Sequence, residues 1–209
     1  MVFVLATNNQ KKRDEMERIL RPLGISVVTA QQAGISMEGV EETGSTFEEN
    51  ADIKAVAACR LADLPAVADD SGLVVDALDG APGVYSARYA GENATDADRI
   101  AKLLNAMKDV PQEKRSARFI SAVCCVFPDG RKVTASASCE GSIAFSPRGE
   151  GGFGYDPIFV TESGKTFSQL SAQEKDRISH RGAAMRLLYS RLKPLLAKEE
   201  EVIEEENGQ

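Results

Sequence analysis

Several features that would assign a class of protein are absent from this sequence. It has no apolar run as long as a membrane span, and the short apolar start at Met1–Ala6 lacks the preceding basic region of a signal peptide. The four cysteines include no C-x-x-C pair and show no metal-ligand spacing. We therefore expect a soluble, cytoplasmic protein whose cysteines are reduced thiols in the core or in strands.

Positive charge is also scarce. The formal net charge is −7, and Lys198–Gln209 contributes −5 of it because this stretch holds six Glu and one Lys. The rest of the chain is close to neutral and contains no block of basic residues. Because nucleic acids and anionic membranes need a basic footprint, we expect neither as a partner.

The length and composition are those of one globular domain. With 209 residues, of which 43% are hydrophobic, the chain has ample material for a core. We place a single domain at residues 1–196. We expect the acidic remainder, 197–209, to be a disordered and solvated tail.

Strand and helix patterns alternate at the start of the chain and then give way to two neighbouring strands. Val2–Ala6 reads as a strand buried on both faces, followed by a helix to about Leu20. Ala117–Phe127 and Val133–Ile143 read as strands joined by a hairpin with an Asp-Gly signal. These patterns predict an α/β fold with a long mixed sheet and flanking helices. Other predicted elements are a strand at 25–28 and helices that begin near Thr46, Thr95, Ser171 and Ser179, the last ending near Leu196.

The chain is organised around Ala66–Val75, an apolar run that two adjacent carboxylates, Asp69 and Asp70, interrupt. Charge in such a run must be compensated by a metal, a basic side chain or an open cleft. Alternatively, Asp69–Gly72 is only a turn between two short strands. Neighbouring residues of a strand face opposite ways, so only one of the two carboxylates is expected to point at any given metal.

A polar loop follows the first strand and runs into the first helix. Its residues, Thr7 to Lys12, offer free backbone N–H groups, a helix dipole and lysine charge, all of which favour an anion. A plain helix cap with solvated lysines is the alternative. Lys54, four residues after Asn50 on the next helix, is either a second phosphate-neutralising cation or a surface lysine.

A glycine-rich segment lies late in the chain at Gly151–Pro157. Its glycines would let a backbone approach a flat ligand, on which Phe153 or Tyr155 could stack, or it is a turn with two core aromatics. The literal G-x-G-x-x-G match at Gly149–Gly154 is rejected because it runs into Tyr155 and a proline rather than a helix. His180, the only histidine, lies at a helix start, where a structural role is the commoner one.

Six motifs occur together and in order, and through them the sequence resembles the inosine triphosphate pyrophosphatase family. The likeness covers about residues 1–196. The motifs are T-N-N-Q-K-K at 7–12, E-E-T-G at 41–44, D-D-S-G-L at 69–73, G-A-P-G-V-Y-S-A-R-Y at 80–89, G-F-G-Y-D-P at 152–157 and S-H-R-G at 179–182.

The resemblance implies two α/β lobes around a central cleft, a homodimer, Mg²⁺, and hydrolysis of ITP, dITP and XTP to the monophosphate and pyrophosphate. It makes Glu41 and Asp70 magnesium ligands and Asp70 also the base. It assigns the triphosphate to Thr7, Asn8, Asn9, Gln10, Lys11 and Lys12, and other substrate contacts to Ser71, Phe153, Gly154, Tyr155, Asp156, Lys175, His180 and Arg181. Asn8 departs from the family, which often has glycine there.

The chemistry is consistent with a small-molecule nucleoside triphosphate as the partner. Lys12, Lys54 and a metal would neutralise the phosphates, and Asp69 or Asp70 would accept the proton of a water that attacks the α-phosphorus. Donors from Arg181 and His180 would favour a 6-keto purine over adenine. Two alternatives stay open: a Maf-like nucleotide pyrophosphatase of other base selectivity, and a nucleotide-binding regulator without turnover.

Overall fold

A six-stranded mixed sheet forms the centre of the computed structural model, which describes residues 2–207 and the side chains of residues 2–197. The strand order is β2-β1-β3-β4-β5-β6. The strands are β1 Val2–Leu5, β2 Ser26–Thr29, β3 Ala66–Val75, β4 Ser116–Val126, β5 Lys132–Ile143 and β6 Phe159–Val160. The α-helices are α1 Gln10–Leu20, α2 Phe47–Ala62, α3 Asp96–Ala106, α4 Ala172–Ile178 and α5 His180–Asn207.

The direction of the strands changes at β3. β1 pairs in parallel with both β2 and β3, whereas β3, β4, β5 and β6 pair antiparallel in sequence. Parallel neighbours need a crossover helix, which α1 and α2 supply, and the antiparallel β4–β5 pair needs only a tight turn. The predicted α/β fold with a long mixed sheet is therefore confirmed.

Helices cover both faces of the sheet. On one face α1 and α5 pack their apolar side chains, including Met16 and Leu188, against Leu5 and Val67. On the other face α2 packs small residues such as Ala51 and Ala55 against the sheet. A third apolar cluster, which includes Leu103 of α3 together with Leu73, Phe119 and Phe159, fills the far end of β3, β4 and β6.

The acidic stretch is part of a continuous strand. β3 pairs with β4 at every residue from Ala66↔Val126 to Val75↔Ala117, including Asp69↔Val123 and Asp70↔Ala122. The alternative reading of Asp69–Gly72 as a turn between two strands is therefore wrong. The carboxylates are held in the middle of a sheet, where each must find a partner.

The last helix is longer than predicted. α5 continues through Pro194 to Asn207, whereas the sequence predicted an end near Leu196. Glutamate is a good helix former, and the helix continues although Pro194 lacks the N–H group that would bond to residue 190. Residues 1, 208 and 209 and the side chains of 198–207 lie outside what the structure describes, so the domain boundary at 196 and the disorder of the acidic tail stay predictions.

Two expectations from composition can be compared with the described residues. Cys59, Cys124 and Cys125 are buried and Cys139 is half-buried, and all four are free thiols. Burial raises the pKa of the Cys124 thiol to about 12, so it is unreactive at neutral pH. None of the helices within residues 2–207 combines the length and the apolarity needed to cross a bilayer.

Candidate active site

The two adjacent aspartates of β3 serve opposite faces of the sheet. Asp69 points toward α5, where Arg181 contacts it, and Asp70 points toward α2, where Lys54 contacts it. This is the expected consequence of strand geometry, in which successive side chains alternate. The two carboxylates therefore have different surroundings, and that only one of them points at any given metal stays a prediction.

Asp69 is an inward carboxylate that cations surround. Its Oδ2 accepts hydrogen bonds from Arg181 Nε at 3.1 Å and Nη2 at 3.0 Å, and Lys12 Nζ lies 3.3 Å away. Burial alone would raise the pKa of Asp69, but the charges of Arg181, Lys12 and Lys54 outweigh it and hold the pKa well below the usual range. Asp69 is therefore ionised at neutral pH and holds the side chains of Arg181 and Lys12 beside it.

Asp70 has a different environment. Its Oδ1 accepts a hydrogen bond from Lys54 Nζ at 3.0 Å, and Asn50 Nδ2 lies 3.4 Å from its Oδ2. Burial raises the pKa of Asp70 although Lys54 and Lys12 oppose the rise. Lys54 also pairs with Glu42 at 3.3 Å. Asp70 is thus the more basic of the two carboxylates, and although it pairs with Lys54 it also lines a cavity.

That cavity, which we call the lysine cavity, lies over the start of α1. Asn9, which lines the cavity, caps α1 by accepting a hydrogen bond from Lys12 N at 3.1 Å, so the cavity lies at the positive end of the helix dipole. Burial lowers the pKa of Lys12, which Asp69 only partly offsets. An under-compensated ammonium at a helix start fits an anion. The lining residues are Ala6, Thr7, Asn8, Asn9, Lys12, Met37, Val40, Glu42, Lys54, Asp70, Ser71, Val84, Ala87 and Arg88.

A second cavity, the aromatic cavity, adjoins it on the α5 side. The two share Asn9, Lys12, Ser71 and Ala87, so they form one continuous cleft. The remaining lining residues are Gly72, Ser86, Asp96, Arg99, Phe119, Phe153, Gly154, Tyr155, Asp156, Lys175, His180 and Arg181. All of the substrate contacts predicted from Ser71 onward therefore line this cavity.

Aromatic and cationic side chains alternate around the aromatic cavity. The imidazole of His180 stacks on Phe119 with a centroid separation of 4.7 Å, and Lys175 Nζ lies 4.8 Å from the centroid of Phe153. Burial lowers the pKa of His180 well below its ordinary value, and the nearby charges of Arg181 and Lys175 lower it further. His180 is therefore neutral, and its Nδ1 is a buried atom with no hydrogen-bond partner among the described residues.

Glu15 of α1 joins the cationic side chains of this cavity into one network. Its carboxylate accepts hydrogen bonds from Lys175 Nζ at 2.6 Å and from Arg181 Nη1. Lys175 Nζ also donates to Asp156 at 2.6 Å. With Asp69 and Lys12 the network contains three buried carboxylates and three cations, so its charges balance.

The glycine-rich segment folds back on Asp156. Asp156 Oδ2 accepts a hydrogen bond from Phe153 N at 2.9 Å, and a Cβ at Gly152, where φ is +75°, would lie 2.1 Å from the same oxygen. Tyr155 is 4% exposed and its hydroxyl donates to Ser86 O at 3.0 Å. Of the two aromatics predicted to stack, Phe153 is the one whose ring lies among the cations of the cavity. Tyr155 instead joins the glycine-rich segment to Ser86 through its hydroxyl.

Some predicted residues lie elsewhere. Gln10 donates to Asp14 at 2.6 Å, and the Lys11 ammonium lies 5.9 Å from the Phe153 centroid; neither lines the two joined cavities. Glu41 is exposed, and its neighbour Glu42 lines the lysine cavity instead. Among the described residues no group of three or more His, Cys, Asp or Glu side chains is placed to hold a metal. The pairing of Glu41 with Asp70 stays a prediction.

Comparison with known proteins assigns the chain to a family. The sequence model of the Ham1 family matches residues 3–191. The chain belongs to the Ham1 family. It is 50% identical over 191 residues to the dITP/XTP pyrophosphatase of Geobacter sulfurreducens, covering 91% of this chain and 96% of that protein. The predicted resemblance is thereby confirmed, and the Maf-like alternative is set aside.

Solved structures of Ham1 proteins have the same fold. The HAM1 protein of Coxiella burnetii superposes with a TM-score of 0.83 at 45% identity, covering 93% of this chain and 99% of that one. The Ham1 protein of Staphylococcus aureus superposes with a TM-score of 0.81 at 42% identity, with the same two coverages. The family match at residues 3–191 includes all of the residues that line the two cavities.

Proposed function

We propose that this Ham1 protein hydrolyses non-standard purine nucleoside triphosphates, namely ITP, dITP and XTP, to the monophosphate and pyrophosphate. The observation that carries the proposal is the joining of two unlike cavities at Asn9, Lys12 and Ser71. One has the flat aromatic and polar lining that a base requires, and the other has the cations and helix start that phosphates require. The relatives named dITP/XTP pyrophosphatase support the same assignment.

The base would enter the aromatic cavity against Phe153. Four of the five N–H donors of Arg181 are used by Glu15, Asp69 and Ser71, and neutral His180 has an unpartnered nitrogen. A 6-keto oxygen can accept a hydrogen bond from the remaining donors, whereas the 6-amino group of adenine would meet donor against donor. Because unpaired buried donors are costly, this arrangement favours hypoxanthine and xanthine over adenine.

The triphosphate would lie in the lysine cavity. Its roughly four negative charges would meet Lys12, Lys54 and the first turn of α1, and such positioning and charge stabilisation are the main contributions a protein makes to phosphoryl transfer. The Lys12 ammonium, whose pKa burial lowers, would regain a full counter-charge from the substrate. We propose water attack at the α-phosphorus, with Asp70 as the base that takes the proton.

The oxygen ligands around the lysine cavity fit Mg²⁺. Magnesium in phosphate-transferring sites is held by one or two carboxylates together with substrate phosphates, so a full protein cage is not required. Asp70 and Glu41 are the proposed ligands, and Glu42 lies in the same loop as Glu41 and lines the cavity. When bound, the ion would offset phosphate charge and activate water.

The assembly is inferred from the family resemblance, and the compartment is the one expected from the sequence. We propose a homodimer that acts in the cytoplasm on free nucleotides. Sedimentation of the purified protein would test the dimer. A species of 22.5 kDa at micromolar concentration would exclude it.

Phosphorus NMR of product formation tests the activity directly. The protein would be incubated with magnesium and, separately, dITP, XTP, GTP, ATP and dTTP. We expect pyrophosphate from dITP and XTP and little from the others. Orthophosphate as the first product would place the attack at the γ-phosphorus, and ligand binding without any product would favour a regulator.

A further inference from the structure

The proposed function assigns no role to Arg88, a charged residue of the cleft. It lines the lysine cavity together with Lys54 and Asp70 and is half-buried. Across residues 2–197, whose side chains are described, no carboxylate or carbonyl oxygen accepts a hydrogen bond from its guanidinium. Its five N–H donors are therefore available to an anion in the cavity.

The segment that carries Arg88 is fixed against β3. It is a 3-10 helix at Gly83–Arg88, and the Ser86 hydroxyl both accepts a hydrogen bond from Leu73 N at 2.9 Å and donates to Gly83 O at 2.7 Å. The approach is so close that a Cβ at Gly72 would lie 2.4 Å from Gly83 O. The backbone that carries Arg88 is thus anchored to β3, the strand that also carries Asp70.

The guanidinium itself is supported by stacking rather than by an ion pair. Arg88 Cζ lies 5.0 Å from the ring centroid of Tyr85, a residue that is 59% exposed. Stacking on an aromatic face orients a guanidinium and leaves its in-plane donors unused. A planar fork in that state matches the geometry of two phosphate oxygens.

The position of Arg88 along the cleft indicates which phosphates it meets. Asn9, Lys12 and Ser71 border both cavities, so the junction of base and triphosphate would lie near them. Arg88 borders only the lysine cavity and is absent from the lining of the aromatic cavity. It therefore lies on the side of the junction away from the base.

We propose that Arg88 binds the two distal phosphates of the substrate, the part that leaves as pyrophosphate. The inference rests on the proposed function, because it takes the base end of the cleft to be the aromatic cavity. It adds a third cation to Lys12 and Lys54 and assigns it to the leaving group. As that group departs, its charge grows, and a bidentate guanidinium is suited to take up this charge.

The test compares Arg88→Ala, Arg88→Lys and a control, Arg60→Ala, an exposed arginine of the same protein in the last turn of α2. Calorimetry would measure the affinity of each variant for inorganic tripolyphosphate and for dIMP, which lacks the distal phosphates. We expect Arg88→Ala to weaken tripolyphosphate binding about 10- to 100-fold, the effect of a lost charged hydrogen bond. Arg88→Lys should be intermediate, and dIMP binding should be unchanged in both.

The outcomes separate this inference from the proposed function. Three results would each overturn the role of Arg88. The first is an unchanged tripolyphosphate affinity in Arg88→Ala, and the second is an unaltered protein that does not bind tripolyphosphate. The third is a loss of dIMP affinity in Arg88→Ala equal to its loss of tripolyphosphate affinity. The KM for dITP should rise with the tripolyphosphate dissociation constant, while Arg60→Ala matches the unaltered protein in every assay. If the unaltered protein releases no pyrophosphate from dITP, the proposed function fails, and the tripolyphosphate measurement still decides whether Arg88 contacts an oligophosphate.

Discussion

Lowering the pH below about 6.5 should destabilise the folded protein through one residue, His180. It is the only histidine of the chain, it is 4% exposed, and its pKa in the folded state is well below the ordinary value because of burial and the neighbouring cations. The unfolded chain therefore binds the proton more readily than the folded one. The stability that the neutral imidazole confers is complete above the unfolded pKa and is lost as the pH falls toward the folded pKa.

The size of this loss follows from the linkage relation. One group that is protonated only in the unfolded state lowers the free energy of unfolding by about 1.4 kcal/mol for each pH unit below about 6.5. The loss stops where the pH reaches the lowered pKa of the folded state. It is large relative to the total stability of a domain, about 5–15 kcal/mol.

The assay is urea unfolding at several pH values between 8 and 5 for the unaltered protein and for His180→Gln. All other titrating groups are common to both, so the difference between the two free energies of unfolding isolates the imidazole. We expect this difference to be constant above pH 7 and to fall on the acid side. If the free energies of unfolding of the two proteins run parallel with pH, His180 has the same pKa in the folded and the unfolded state. If their difference instead grows toward acid pH, Asp69 stabilises the charged imidazole in the folded state.

Three further substitutions test the site. Asp70→Asn should abolish dITP turnover and leave the thermal midpoint close to that of the unaltered protein, because the amide keeps the shape and removes the base; near-normal activity with magnesium would remove Asp70 from the mechanism. Arg181→Ala should narrow the ratio of dITP to dATP hydrolysis, since a donor of the aromatic cavity is lost, and an unchanged ratio would place base recognition elsewhere. Glu15→Gln should lower the free energy of unfolding by about 1.5–3 kcal/mol, because charged hydrogen bonds to Arg181 and Lys175 are weakened. Urea denaturation would measure this, with exposed Glu92→Gln as the control; equal small losses in both would show that the buried network adds no stability.

The elements of the fold could be predicted from sequence where a local pattern determines them. β3 spans the same residues as the predicted run Ala66–Val75, and the β4–β5 hairpin lies at the Asp-Gly turn. The alternation of Asp69 and Asp70 could also be foreseen, because it depends only on strand periodicity. What the pattern left open was whether the strand continues through the carboxylates, which the pairing with β4 decides.

Residues whose partners are distant in sequence were missed. Glu15 contacts Lys175 and Arg181, which lie 160 and 166 positions away, and no local pattern marks it. Asn50 had a signal, its spacing of four from Lys54, and in the structure its side chain joins Asp70 to the loop at Gly44. Gln10 was predicted with its neighbours, but helix geometry turns it away from the cleft toward Asp14.

The alternation along β3 also limits how this protein can be altered. One strand places Asp69 in the layer of α5 and Asp70 in the layer of α2. The strand therefore separates the side proposed to recognise the base from the side proposed to carry out hydrolysis, and it fixes the position of both. A one-residue slip of its register would exchange the two carboxylates between the layers. We therefore expect an insertion or deletion anywhere within Ala68–Gly72 to eliminate base recognition and hydrolysis together, while single substitutions at 69 and 70 impair them separately.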